Sequence, residues 1–207
     1  MTLVEALLSL LPAGESRRYG EVYLEHLPDG LLRARHREDR MTENGLEDLT
    51  TPRELREMAK FDPSGEYRPL KTAPTLKSGW VTSCTDPSEF LNRLDAIYPG
   101  VFATWVAYSQ GTHSPTTLRA TLDRQTGMYR FAGSITDQMA NQIMRETCAK
   151  GCLRTIAWPV DDQCPVSQLK RAPKEIPVIC TEACTFAVSE ARRLAKEAYE
   201  KENAPAS

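Results

Sequence analysis

Five of the six cysteines fall between residues 148 and 184, and four of these stand as two Cys-x-x-x-Cys pairs. The pairs are Cys148-Ala-Lys-Gly-Cys152 and Cys180-Thr-Glu-Ala-Cys184. Residues four apart on a helix share a face, so each pair can present two sulfurs in one direction. Two such pairs meeting would surround one centre with four thiolates, the ligand count of a [4Fe–4S] cluster. Structural zinc uses the same donor set, more often at shorter spacing, so spacing alone leaves zinc as the alternative. The three intervening residues do not match the Cys-x-x-Cys of a thioredoxin-like redox pair. Cys164 precedes Pro165 and has no partner at helical spacing. It is read as a non-ligand, with its replacement of Cys148 as the other assignment. Cys84, alone in mid-chain, reads as a small buried hydrophobe.

These sulfurs need elements to position them. Thr136-Asp137 caps an expected helix that runs toward Cys148. Thr181–Lys201 is the clearest expected helix, with Cys184, Ala187, Val188, Ala191, Leu194, Ala195 and Ala198 on one apolar stripe. Its N-terminal amides would lie near Cys180 and Cys184, where the macrodipole favours an anion. Gly151 permits a close backbone approach, and Lys150 and Arg154 could offset cluster charge. Between the pairs, Leu153–Trp158 is expected to be extended and Pro159–Pro177 to be loop.

Upstream, apolar spacing predicts a helix over Thr2–Leu11. Two strands are expected around Leu27-Pro28-Asp29-Gly30 within Gly20–His36. The charge-dense run Arg33–Arg40 is expected to be solvated. Thr51-Pro52-Arg53-Glu54 and Asp86-Pro87-Ser88-Glu89 are capping-box signals opening helices to about Lys60 and Ile97. Phe61–Ser78 reads as a loop and subdomain boundary, Gly79–Ser83 as a strand, and Pro99 to Gly111 and Ser114 onward as helices. Gly127–Ala132 is a strand candidate. The fold class expected is α+β, with a small mixed region over 1–78 and a mainly helical, cysteine-rich region over 79–207.

Composition narrows the function classes. A formal net charge of −2 on 207 residues argues against a nucleic-acid binder. No apolar run approaches the roughly 20 residues a bilayer span needs. The N-terminus lacks the basic start of a signal peptide, so the cytoplasm, with its reduced thiols, is the expected compartment.

Several segments together resemble a known family. They are Gly65-Glu-Tyr-Arg-Pro-Leu70, Thr72-Ala-Pro-Thr-Leu76 with Gly79-Trp80, Tyr98-Pro99, Gln125-Thr-Gly-Met-Tyr-Arg130, Gly151-Cys-Leu-Arg-Thr-Ile156 with Trp158, and Cys180-Thr-Glu-Ala-Cys184. In this order they resemble the C-terminal half of multidomain CbiX-like proteins related to sirohydrochlorin chelatases. In those proteins chelatase-like domains precede a stabilising domain and a four-cysteine [4Fe–4S] domain. The resemblance implies that Cys152, Cys180 and Cys184 are cluster ligands, that Cys148 is the fourth, and that iron–sulfur is favoured over zinc. The chelatase half is expected to be missing. Of the three histidines, His26, His36 and His113, none stands in a metal-ligand pattern, and each reads as a surface or capping residue.

The expected function is therefore a cluster-binding protein, accessory or redox partner to a chelatase or another tetrapyrrole- or cobalamin-pathway enzyme. A stand-alone electron carrier and a zinc-stabilised interaction module are the alternatives. An enzymatic reading would use Arg119, Arg124, Arg130 and Tyr129 on an anionic substrate. Scattered surface arginines and a strand aromatic are the plainer account of those residues.

Overall fold

The computed structural model describes residues 1–61, 67–69, 78–114, 116–125, 127–149, 174–176, 178–180 and 182–203. Helix α1 (Leu3–Leu10) opens on a capping box. The Glu5 amide donates to the Thr2 hydroxyl, and the Thr2 amide donates to the Glu5 carboxylate at 2.7 Å. Strands β1 (Ser16–Tyr19), β2 (Val22–His26) and β3 (Leu32–His36) follow as an antiparallel meander. The Leu27–Gly30 turn stands where the sequence places it, between β2 and β3. Strand β1 was not expected, because its Arg17-Arg18 centre masks the alternation. The turn after it depends on Gly20, whose φ is +59° and whose absent side chain leaves room for the Tyr98 ring. The Tyr98 hydroxyl accepts the Glu21 amide at 2.9 Å, and the ring meets Tyr19 edge-on at 5.1 Å.

Two further strands complete this side of the molecule: β4 (Glu47–Asp48) and, after α2 (Pro52–Met58) and a small pair β5 (Ala59–Phe61)–β6 (Tyr67–Pro69), strand β7 (Trp80–Cys84). Thr51 and Glu54 cap α2 reciprocally. With β8 (Glu175–Ile176) the sheet runs β4-β7-β3-β2-β1-β8, parallel at its two outer pairs and antiparallel within. Helices α3 (Pro87–Ile97) and α4 (Val101–Ser109) join α1 against one face. Asp86 caps α3 by accepting the Ser88 amide, with Pro87 in the first turn.

The sheet follows the period of two. Tyr19, Val22, Leu24, Leu32, Ala34 and Trp80 all face Leu7, Phe90, Leu94, Ile97 and Phe102 in a first hydrophobic core. The second region of the sequence reading begins at residue 79. Yet β7 pairs with β3 and β4, and Trp80, Phe90 and Leu94 are buried in the same core as Leu7.

The opposite face corrects the expected solvation of Arg33–Arg40. Arg35 is 1% exposed and Asp39 4%. Arg35 donates to the Thr42 carbonyl at 2.5 Å and to Glu25 at 2.7 Å, and Arg33 shares the same carboxylate. A buried cation survives because a carbonyl and a carboxylate meet its two terminal nitrogens.

The remaining helices form a second core: α5 (Leu118–Asp123), α6 (Tyr129–Ala132), α7 (Asp137–Ile143) with a π-helical turn Met144–Ala149, and α8 (Thr185–Glu202). Leu118, Leu122, Met128, Ile135 and Ile143 pack on the stripe Ala187, Ala191, Leu194 and Ala195 of α8. Mixed sheet on one side and helices on the other make the chain α+β, as the sequence indicates. The expected strand Gly127–Ala132 is instead a turn and α6. Met128 and Ala132, one helical turn apart, are both buried in the second core.

The segment 174–180 ties the two cores together. Glu175 and Ile176 pair with Arg18 and Tyr19 of β1. Ile176 and Val178 are buried in the first core, Ile179 contacts Trp105 and Tyr108 of α4, and Cys180 packs on the second core.

Candidate metal centre

Cys148 owes its place to α7. Thr136 caps that helix, its hydroxyl accepting the Met139 amide, and Ala140 and Ile143 anchor it in the second core. At Met144 the helix widens into the π turn that carries Cys148, and this turn packs against α8. The Thr147 hydroxyl donates to the Ile143 carbonyl at 2.7 Å, drawing an acceptor out of the ordinary ladder. Short π-helical stretches within helices are often found where side chains must be re-aimed for function.

Cys180 and Cys184 also pack on the second core. The helix expected from Thr181 begins at Thr185, and Cys184 is its N-cap, with φ −72° and ψ 165°. Cys180 lies before it, outside any helix. The two sulfurs therefore do not share a helical face. Both pack against the second core instead, as Met139, Met144 and Val188 also do. The later start has a local cause. Ile176 and Val178 are buried in the first core and Ile179 packs on α4, so these residues are committed to other contacts before the helix begins.

Cys184 differs from the Thr and Asp caps elsewhere, because its side chain makes no capping hydrogen bond. A thiol is a weak acceptor, so the first amides of α8 keep their capacity to meet negative charge. Ala183, between the two cysteines, is buried, and its carbonyl accepts from the Gln125 side-chain amide at 2.7 Å. Gly127 follows at φ +79°, and a β-carbon there would come within 3.2 Å of the Arg192 guanidinium. The Gln125–Met128 turn thus holds the cysteine turn and α8 together. The sequence reading assigned no role to Gln125, although its neighbourhood carried the family resemblance. Its signal was a lone amide before a glycine turn.

Cys148, Cys180 and Cys184 are all half-buried. Cys152, Cys164, Lys150, Gly151 and Arg154 lie outside the described residues, as do Leu153–Trp158 and nearly all of the loop expected over Pro159–Pro177. Among the described residues, no three His, Cys, Asp or Glu side chains form a group that could hold a metal. The donor chemistry nonetheless fits an iron–sulfur centre. Every candidate is a thiol, and the uncapped end of α8 favours the net negative charge that four thiolates give a bound cluster.

The other sequence candidates lie elsewhere. Cys84 ends β7 beside the first core, where burial pushes its thiol pKa up against the pull of Arg93. His26 lies with Nδ1 2.9 Å from the Leu11 carbonyl, and His113 is exposed. His36 does act as a cap, accepting the Glu38 amide, but it is 4% exposed rather than on the surface. Arg119 pairs with Asp137 at 3.5 Å and Arg124 donates to Thr116, both exposed. Tyr129 and Arg130 open α6 rather than a strand. No helix among the described residues is long and apolar enough to cross a membrane.

Comparison with known proteins places these features. No curated protein matches the chain. Residues 110–193 match the family model of a 4Fe-4S iron-sulfur cluster binding domain, a span that holds most of the second core and all five clustered cysteines. The crystal structure of DR2241 from Deinococcus radiodurans aligns with a TM-score of 0.62 and 26% identity over 94% of this chain. That protein is described as multi-domain, with structural similarity to chelatases and two additional novel domains. The chain spans 41% of its length. Residues 5–109, half of the sequence, match the DR2241 stabilising domain, and the chain belongs to that family.

Proposed function

We propose that this chain binds a [4Fe–4S] cluster through Cys148, Cys152, Cys180 and Cys184, and that it serves as an accessory or redox partner to a chelatase of tetrapyrrole or cobalamin synthesis in the cytoplasm. One observation carries the reading. Cys180 and Cys184 flank the uncapped N-terminus of α8, and the π turn bearing Cys148 packs on the same helix, all within the span matching a 4Fe-4S binding domain. The similarity of DR2241 to chelatases supports the pathway link.

In this reading each residue has a physical task. The α8 amides offset thiolate charge. The second core, on which Cys180 and Cys184 pack, keeps water from one side of the sulfurs and lowers the local dielectric. Gln125 fixes the turn between Cys180 and Cys184. The segment 174–180 anchors that turn to the sheet. A cluster with four cysteine ligands supplies one-electron chemistry or a structural cross-link, with no open iron for substrate.

The test is anaerobic purification with iron, acid-labile sulfide and zinc assayed on one sample. About four irons and four sulfides per chain are expected. Cys184→Ser should lose them and Cys164→Ser should keep them. About one zinc without sulfide would replace the cluster by a structural zinc site and remove every redox reading. Loss of iron in Cys164→Ser would reassign the fourth ligand.

A further inference from the structure

The face of the sheet away from the first core carries a cleft of about 630 Å³ lined by Ser16, Arg17, Arg18, Tyr23, Arg37, Glu38, Arg40, Lys174 and Glu175. We propose that this cleft is a binding site for a small polyanion bearing at least two phosphate or carboxylate groups. The proposal does not depend on the cluster.

The charge balance is the first argument. Four cations, Arg18, Arg37, Arg40 and Lys174, line the cleft with two carboxylates, Glu38 and Glu175, while the Arg17 guanidinium donates to the Leu10 carbonyl of α1 and the chain as a whole carries a net −2. Positive charge is therefore gathered here against the general balance, and a concave wall strengthens the field it makes.

The second argument is the arrangement of the cations. Arg17 and Arg18 lie on β1, and Lys174 and Glu175 on the segment that pairs with it. Arg37 and Arg40 flank the 3-10 turn that follows β3. Strand β2 lies between these two sides, and its Tyr23 hydroxyl donates to Ser16 at 2.8 Å. A ligand with one anionic group at each side would engage both sets of cations, with hydroxyls between them.

Some of these cations are held in place and others are available. Arg18 is held by Glu175 at 2.8 Å and by the Gly20 carbonyl, and Arg37 by Glu21 at 3.1 Å. Arg40 and Lys174 are exposed, one on each side, and among the described residues no carboxylate pairs with either. The cleft is thus built from fixed guanidiniums with an exposed cation on each side that a ligand can engage. Its volume falls in the range of small-molecule sites.

Titration calorimetry of the full chain at low salt tests this, with inorganic pyrophosphate and citrate as probes. Saturable binding of at least one is expected, weakening as salt rises. Pyrophosphate alone would assign phosphate chemistry and citrate alone carboxylate chemistry. Arg40→Glu and Lys174→Glu should each weaken binding by about tenfold or more. Lys196→Glu makes the same charge change on the exposed side of α8 and should leave binding within about twofold. Absence of binding by both probes would overturn the proposal. So would equal weakening by all three variants, or binding of single-stranded nucleic acid with neither small anion.

Discussion

At the residue scale the candidate centre rests on side chains that are not themselves sulfur donors. Gln125 donates to the Ala183 carbonyl, a buried acceptor that would otherwise be without that partner beside the cysteine turn. A lost hydrogen bond of this kind costs about 1–3 kcal/mol when the orphaned group is buried. Gln125→Ala should therefore leave the overall fold intact yet speed cluster loss to a chelator several-fold, followed as decay of visible absorbance. An unchanged rate would limit Gln125 to stabilising the helices. The N-cap at Cys184 follows the same logic in reverse. Thr, Ser and Asp caps satisfy the first amides of a helix, whereas this thiol leaves them open to an anion.

At the element scale the segment 174–180 carries most of the architecture. Within seven residues it adds an edge strand, fills the first core with Ile176 and Val178, touches α4 through Ile179 and delivers Cys180 to the second core. Its placement depends on apolar burial more than on hydrogen bonds, because β8 has only two residues. Ile176 is 2% exposed, so Ile176→Ala should cost about 2–5 kcal/mol in chemical denaturation. The same variant should also release the cluster faster, since Cys180 lies four residues further along the same segment. Loss of stability with normal cluster retention would show that the two ends of the segment act independently.

At the scale of the whole molecule there are two cores with one continuous strap between them. Metal-site energy is folding energy for the elements that carry the ligands. Removing the cluster anaerobically should therefore expose the amides of the π turn and the first turns of α8 to hydrogen exchange. The amides of β2 and β3 should remain protected, because the first core supplies their burial without any cysteine of the 148–184 group. Uniform loss of protection across both cores would mean that the molecule folds as one cooperative unit.

Much of this was legible in the sequence. The β2–β3 turn, the capped starts of α2, α3 and α7, the apolar stripe of α8 and the α+β class all follow from local signals. Such signals depend on neighbours within a turn or two, so they can be read without the fold. The clustering of thiols was equally plain. Tertiary structure decided what depends on distant partners. It buried Arg35 against Glu25 and Thr42, turned Tyr129–Ala132 into a helix against α8, and set Cys180 ahead of α8, beyond a strand whose Glu175 and Ile176 pair with residues about 160 positions earlier. It also gathered Arg18, Arg40 and Lys174 around one cleft. Charge and cysteine content are properties of composition, but which charges face one another is set by strand order, and strand order is a long-range outcome of packing.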